Sequence, residues 1–141
     1  MAVLRFQIRS TLSPSEVLGV LTDFSPARAE NWPTIDAEHF TVHALGDTWA
    51  EVTEGTASAW ERARYEWDSA GDTVTITTLD SKVFGLGGGW VFKMTPDGDG
   101  TLVDVQLTRH PNTLKSRMVA AVLPFAGSVF RKSFKEPLKG K

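Results

Sequence analysis

Between about residues 38 and 109, apolar side chains recur at every second position, and this alternation constrains the fold more than any other feature of the sequence. A period of two is typical of strands that have one buried and one solvated face. The pattern predicts strands at about 38–45, 48–55, 59–68, 73–80, 88–95 and 101–109. The links between them are short and rich in glycine, aspartate or serine, which favours hairpins. We therefore expect these strands to form an antiparallel meander.

A further strand and two short helices precede the meander. Ser13 caps the first turn of a helix, Pro14 suits the first helical position, and Glu16 completes a capping box. The apolar positions extend this helix through Phe24, and Pro26 ends it. The predicted elements are therefore a strand at about 2–11, a helix that begins after Ser13 and ends before Pro26, and a second short helix at 27–31.

A long helix is predicted at the C-terminal end, over residues 113–134. Its length of about 33 Å equals that of a ten-residue strand, so the helix can lie along a whole face of the sheet. Pro124 cannot donate a backbone hydrogen bond and is expected to kink or break the helix. The apolar stripe that would face the sheet comprises Leu114, Met118, Ala121, Val122, Phe125, Val129 and Phe130.

The 141 residues, of which 41% are hydrophobic, fit a single domain over residues 1–141. The chain contains no cysteine, which excludes disulfides, thiolate nucleophiles and cysteine-ligated metals. Arg5 and Arg9 interrupt the apolar stretch near the start, so this stretch lacks the uninterrupted apolar segment of a signal peptide. We expect a cytoplasmic protein.

Beside the order of elements, the sequence has several aromatic and turn motifs: Trp32-Pro33, the stretch from Trp60 to Trp67, Asp80-Ser81, Trp90-Val91-Phe92 and Thr108-Arg109. Together these features resemble the START-like or SRPBCC superfamily, the helix-grip fold, and in particular its bacterial polyketide cyclase/dehydrase-like members. The resemblance implies an α+β fold in which a curved, seven-stranded antiparallel sheet wraps round a long C-terminal helix, with two short helices after the first strand. It also implies a hydrophobic cavity between sheet and helix. Members of this superfamily bind lipids, sterols, polyketides or aromatic compounds, and some are cyclases.

The alternation predicts which side chains face that cavity. On the strand at 59–68, Glu61, Ala63, Tyr65 and Trp67 share one face, while Trp60 falls on the opposite, mostly charged face. The first set is therefore assigned inward. Applied to the whole chain, and together with the resemblance, this assignment gives the ligand-binding candidates Trp32, Tyr65, Ile76, Trp90, Phe92, Val105, Arg109, Met118 and Val122.

Three polar side chains on the inward face, those of Glu61, Tyr65 and Arg109, are candidates for chemistry. A charge buried among apolar groups needs a partner, so Glu61 and Arg109 have the structural option of pairing with each other. The catalytic option is that Arg109 holds a carboxylate or enolate, Tyr65 donates its hydroxyl and Glu61 moves a proton. Both options are open at this point.

Other motifs point away from metals and cofactors. His39 and His43 share a face of a predicted strand but stand about 13 Å apart, too far to hold one metal ion. The glycine-rich segment at 85–89 joins two predicted strands, so no helix N-terminus follows it to bind a phosphate. We expect a loop at the rim of the cavity, no metal site and no cofactor.

Residues 109–141 carry eight lysines or arginines against the single acidic residue Glu136. The rest of the chain is acidic, so we expect no nucleic-acid partner. Transient contact with an anionic membrane is a candidate role for the helix. The lysines nearest the lipid headgroups would be Lys132, Lys135, Lys139 and Lys141.

The leading hypothesis is a protein that binds a hydrophobic or aromatic small molecule, such as a lipid or a polyketide-like compound, in a cavity. The first alternative is an enzyme of the cyclase/dehydratase type, which needs neither metal nor nucleotide cofactor. The second is an interaction module in which bulky side chains fill the cavity. The side chains large enough to do so are Trp67, Trp90, Phe92, Phe125 and Phe130. The oligomeric state is open, because an edge strand can pair with a neighbour.

Overall fold

The computed structural model describes residues 2–32, 34–68, 71–82, 88–110, 134, 137 and 138. Most of the predicted helix at 113–134, with Met118, Val122 and Pro124, lies outside the described residues. The elements are β1 (Ala2–Ser10), α1 (Pro14–Leu21), α2 (Ala27–Asn31), a 3-10 helix (Ala37–His39), β2 (Thr41–Leu45), β3 (Trp49–Gly55), β4 (Trp60–Trp67), β5 (Thr73–Ser81), β6 (Gly89–Asp97) and β7 (Gly100–Arg109). Among the described residues, no helix has the length and apolar character needed to cross a membrane.

The seven strands form one antiparallel sheet in the order β1-β7-β6-β5-β4-β3-β2. Each strand from β2 to β7 pairs with the next one along the chain, which confirms the predicted meander. β1 pairs with β7 over its whole length, from Ala2 opposite Arg109 to Ser10 opposite Thr101. β1 and β2 are therefore the two edges of the sheet.

Helix α1 begins as predicted and ends earlier. The Ser13 side chain accepts from the Glu16 N–H at 3.3 Å, and the Glu16 carboxylate accepts from the Ser13 N–H at 3.1 Å, which completes the capping box. The prediction that the helix includes Phe24 is wrong, since α1 ends at Leu21. The hydroxyl of Thr22 donates to the carbonyl of Leu18 at 2.7 Å and closes the last turn.

The strand predicted at 38–45 also begins later than expected. Residues Ala37–His39 form a 3-10 helix, and the His39 N–H donates to the Asp36 carbonyl at 3.0 Å. The Asp36 N–H donates to the Gly55 carbonyl at 2.9 Å, so the chain meets the end of β3 before it enters β2. His39 therefore lies outside the strand that holds His43.

One face of the sheet carries the core, and the alternation predicted it correctly. Helix α1 covers this face with Val17 and Leu21, and Trp32, Ile35, Phe134 and Leu138 are buried with them. The buried apolar residues of the sheet are Leu4, Phe6, Ile8, Ala50, Val52, Ala63, Tyr65, Val74, Ile76, Phe92, Met94, Val103, Val105 and Leu107. Because successive side chains of a strand point to opposite faces, polar residues between them meet solvent.

Candidate functional site

The inner face of the sheet, the α2 region (helix α2 with Trp32, Thr34 and Ile35 after it) and Phe134 line an open-mouthed cavity of about 250 Å³. For comparison, an apolar cavity of about 150 Å³ is large enough to bind benzene. Thr34 and Ala59, both exposed, are part of the lining and mark the rim. The described lining residues are Leu21, Arg28, Trp32, Thr34, Ile35, Glu54, Gly55, Ala59, Trp60, Glu61, Tyr65, Ile76, Ser81, Trp90, Phe92, Arg109 and Phe134.

An aromatic cluster of four lining residues forms one wall of the cavity. The Phe134 ring meets the rings of Trp32, Trp90 and Phe92 edge-on, with centroid distances of 5.1, 5.4 and 5.5 Å. Trp90 and Phe92 are themselves stacked at 5.8 Å. Such edge-to-face and offset contacts are the favoured geometry of aromatic pairs, so this wall presents a firm apolar surface.

A buried polar network joins α2 to the sheet. The Arg28 guanidinium is 3% exposed, and its Nε donates to the Glu54 carboxylate at 2.7 Å. Its Nη2 donates to the Tyr65 hydroxyl at 2.8 Å, and that hydroxyl donates in turn to Glu54. The three side chains thus close a ring of hydrogen bonds, in which the carboxylate balances the guanidinium.

The same guanidinium holds the link between α1 and α2. Its Nη1 donates to the carbonyls of Leu21 and Asp23 at 3.2 and 3.1 Å. Its face lies over the ring of Phe24, with 4.7 Å between the guanidinium carbon and the ring centroid. Arg28 therefore connects the α1–α2 link, β3 and β4, although it belongs to a helix of only five residues.

Burial has opposite consequences for the two titratable partners of this network. It raises the pKa of the Tyr65 hydroxyl well above its usual range, although the neighbouring Arg28 charge acts in the other direction. The phenol therefore stays protonated and serves as the donor to Glu54. For Arg28, burial alone lowers the pKa, but Tyr65 and Glu54 more than reverse this effect, so the guanidinium keeps its charge.

A second network lies on β4, β5 and β7. The Arg109 Nη1 donates to the Glu61 carboxylate at 2.8 Å and to the Thr78 hydroxyl at 3.1 Å. The Thr78 hydroxyl donates to Glu61 at 3.1 Å. The side chains of Arg109 and Glu61 are only 13% and 14% exposed. Glu61 and Arg109 thus form the ion pair that was the structural option for these two residues.

The two networks meet at a pair of carboxylates. Glu54 on β3 lies directly opposite Glu61 on β4 in the register of the sheet. Side chains at such positions have Cβ atoms about 4.5–5.5 Å apart, and like charges there are destabilising unless they are balanced. Arg28 balances the first carboxylate and Arg109 the second, so the charges run plus, minus, minus, plus along the wall. No three acidic or histidine side chains group as metal ligands within the part of the chain that the structure describes.

Most of the sequence-predicted site residues meet at this cavity. Its lining includes Trp32, Tyr65, Ile76, Trp90, Phe92 and Arg109, together with Glu61. Val105 is buried but is not part of the lining, because it stands between Phe92 and Phe6 in the interior of the sheet. Met118 and Val122 lie outside the described residues.

Sequence reasoning misplaced Trp60 and missed Arg28 and Glu54. Trp60 was assigned to the outer face, yet it lines the cavity at the start of β4, opposite Gly55. Its neighbour Glu61 lines the cavity as well, so the alternation on which the assignment depended does not hold at this end of the strand. Glu54 has the parity of the buried residues Ala50 and Val52, so the same count on β3 points it inward. Arg28 gave no signal, because a helix this short shows no periodicity.

Comparisons with known proteins agree on the fold. No protein-family model and no curated protein sequence matches the chain. Among solved structures, a START superfamily protein from Mycobacterium smegmatis is 12% identical, with a TM-score of 0.77, and the match covers 98% of this chain and 97% of that one. The ZhuI aromatase/cyclase from Streptomyces sp. R1128 is 14% identical, with a TM-score of 0.67 and coverage of 96% and 85%.

A third solved structure is the di-domain ARO/CYC protein StfQ from the steffimycin biosynthetic pathway. It is 13% identical, with a TM-score of 0.67, and the match covers 97% of this chain and 51% of that one. At these identities the likeness concerns the fold. The resemblance predicted from the sequence is confirmed at that level: the chain has the START-like fold, which START superfamily proteins and aromatase/cyclases share.

Proposed function

We propose that the protein binds a small aromatic molecule in the cavity between its sheet and the α2 region. The observation that carries this proposal is a cavity of about 250 Å³ with an aromatic wall and a few convergent polar groups. Small-molecule sites have this composition, because apolar area supplies affinity while a few polar groups orient the ligand. The START-like fold of the neighbours supports the same function.

Partnering within the lining favours binding over catalysis. Each ionisable lining side chain that the structure describes is held by another protein group: Arg28 with Glu54 and Tyr65, and Glu61 with Arg109. A general acid or base must reach the substrate proton, and these groups are turned toward each other. A binding protein needs only the shape and polarity that the two networks fix.

Cavity volume limits the size of the ligand. An apolar cavity of about 150 Å³ takes the six carbons of benzene, so a volume of about 250 Å³ corresponds to roughly ten non-hydrogen atoms. That is the size of two fused aromatic rings. Larger lipids would have to extend through the rim at Thr34 and Ala59.

Tryptophan fluorescence tests this proposal directly. Three of the five tryptophans, Trp32, Trp60 and Trp90, line the cavity. Titration with naphthalene and naphthol is expected to change their emission with saturation at one site. Trp90→Phe is expected to reduce the change, whereas Trp49→Phe, outside the lining, leaves it intact. Native mass spectrometry of protein purified without denaturation then identifies any retained compound.

A matched pair of core variants distinguishes cavity binding from surface binding. Ile76→Phe adds volume inside the cavity, and Ile8→Phe adds the same volume to a buried position outside the lining. Overpacking destabilises both, typically by about 1–3 kcal/mol. Only Ile76→Phe is expected to weaken naphthalene binding, by at least about tenfold. Equal affinity in the two variants, or no saturable binding to the parent protein, contradicts the proposal.

An aromatase/cyclase-type enzyme is the second candidate, and the folds of ZhuI and StfQ favour it. The protonated Tyr65 hydroxyl and the opposed Glu54 and Glu61 carboxylates are the groups that would move protons. Incubation with a short β-polyketone would then release water, which a mass measurement detects. Unchanged substrate with the parent protein, under conditions where naphthol binds, argues against this candidate.

Two further predictions, one about membrane contact and one about cellular location, are also proposals. The first is transient contact with an anionic membrane through Lys132, Lys135, Lys139 and Lys141, which predicts salt-sensitive sedimentation with anionic vesicles. The second is a cytoplasmic location. The alternative of an interaction module with a filled core is less favoured, because bulky side chains that filled the core would leave no cavity of this volume.

A further inference from the structure

Among the residues that the structure describes, the charged side chains of the cavity wall sum to zero. Two arginines, Arg28 and Arg109, and two glutamates, Glu54 and Glu61, are the ionised lining residues that the structure describes. Each arginine is bound to one glutamate, at 2.7 Å in the first pair and 2.8 Å in the second. The Tyr65 hydroxyl, whose pKa burial raises, adds no charge.

This balance determines which ligand charge the cavity accepts. An anionic ligand would have to share a guanidinium with Glu54 or Glu61, and it would place a third carboxylate beside two that already stand opposite each other. A cationic ligand that bound Glu61 would lie beside the Arg109 guanidinium that this carboxylate already holds. Either ion loses its hydration without gaining a net opposite charge.

An uncharged hydroxyl group meets no such opposition. A carboxylate has about four lone-pair sites, so Glu61 retains capacity for a ligand hydroxyl beyond its bonds to Arg109 and Thr78. The stacked Trp90 and Phe92 rings next to this network offer the apolar surface for the rest of the ligand. A polar atom at one end and fused rings at the other thus match the two parts of the wall.

We infer that the ligand is an uncharged, two-ring aromatic compound with a hydroxyl group, rather than a carboxylate or an amine of the same shape. The inference rests on the proposed function and narrows it to one chemical class. It follows from the order of charges Arg28, Glu54, Glu61, Arg109 along one wall and from the volume of the cavity.

Four probes of nearly equal shape test the inference at neutral pH: naphthalene, naphthol, naphthoate and naphthylmethylammonium. Naphthol is expected to bind at least about tenfold more tightly than either ion, and more tightly than naphthalene. An ion that binds as tightly as naphthol overturns the inference while the proposed function stands. Naphthalene that matches naphthol does the same, because the oxygen is then not recognised. Failure of all four probes overturns both.

Charge variants give a second, independent readout. Glu61→Gln preserves shape and removes one negative charge, so the ratio of naphthoate to naphthol affinity is expected to rise at least about tenfold. Glu51→Gln is the matched control, because Glu51 binds Arg62 at 3.1 Å on the outer face of the sheet. It is expected to leave the ratio unchanged. An equal ratio in both variants overturns the inference, provided that thermal unfolding shows both to be folded.

Discussion

Replacing Arg28 by methionine removes the guanidinium and keeps an apolar stem of similar length. The Glu54 carboxylate, whose side chain is 11% exposed, then lies opposite Glu61 without a cation of its own. Breaking a buried ion pair by removing one partner costs about 3–5 kcal/mol. The whole domain is stabilised by about 5–15 kcal/mol, so the variant is expected to lose about a fifth or more of its free energy of unfolding.

Urea unfolding at neutral pH measures this loss, and a double-mutant cycle assigns it. Glu54→Gln in the Arg28→Met background removes the uncompensated charge and is expected to restore about 2 kcal/mol. Arg62→Met is the control, because its ion pair with Glu51 lies on the outer face with Arg62 43% exposed, and its loss is expected to stay below about 1 kcal/mol. Equal losses in Arg28→Met and Arg62→Met, or no coupling with Glu54, would refute the reasoning.

Three further predictions concern single positions. Tyr65 is the only tyrosine, and burial raises its pKa, so the tyrosinate absorbance of the folded protein is expected only well above pH 10.0. The free energy of unfolding that this raised pKa contributes is fully present below pH 10.0 and is lost as the pH rises toward the pKa of the folded tyrosine. Tyr65→Phe is expected to remove this loss. Tyrosinate absorbance of the folded protein near pH 10.0 contradicts the prediction. Gly55 has a φ of 132°, and a Cβ there would collide with the Ala59 carbonyl, so Gly55→Ala is expected to lower the free energy of unfolding by about 1–3 kcal/mol or more. Ser13→Ala removes the cap of α1 and is expected to cost about 1 kcal/mol in urea unfolding, whereas Ser13→Asp keeps the cap and most of the stability.

The order of the elements was predictable because local rules determine most of it. Side chains alternate across a strand whatever its surroundings, and the capping box at Ser13 needs only neighbouring residues. The errors lie where tertiary contacts decide the local structure. Phe24 looks like a continuation of α1, yet its ring packs edge-on against Tyr65, with 5.0 Å between centroids, after the helix has ended. Phe40 resembles a strand residue, although β2 begins only at Thr41.

The aromatic lining was predictable except for Trp60, and so was the Glu61–Arg109 pair, whereas the network of Arg28, Glu54 and Tyr65 was not. Parity on one strand places Tyr65 and Glu61 inward, but it does not say which residues of the next strand face them. The pairing of Glu54 with Glu61 depends on the length and shape of the turn between β3 and β4. Arg28 lies on a very short helix, and arginine side chains are mostly exposed unless they pair with a buried group. Its burial therefore could not be predicted without knowing that Glu54 lies beside it.

The pairing of the first strand with the last has a consequence for how the chain folds. β2 to β7 can assemble from successive hairpins, each formed by residues close in sequence. β1 must wait for β7, since Arg5 and its partner Gln106 are 101 residues apart. During synthesis the apolar side chains of Leu4, Phe6 and Ile8 leave the ribosome before the other six strands and are paired only after β7 has formed. The docking of β1 is therefore expected to be the late step, and the interval before it is when the nascent chain is most prone to aggregate.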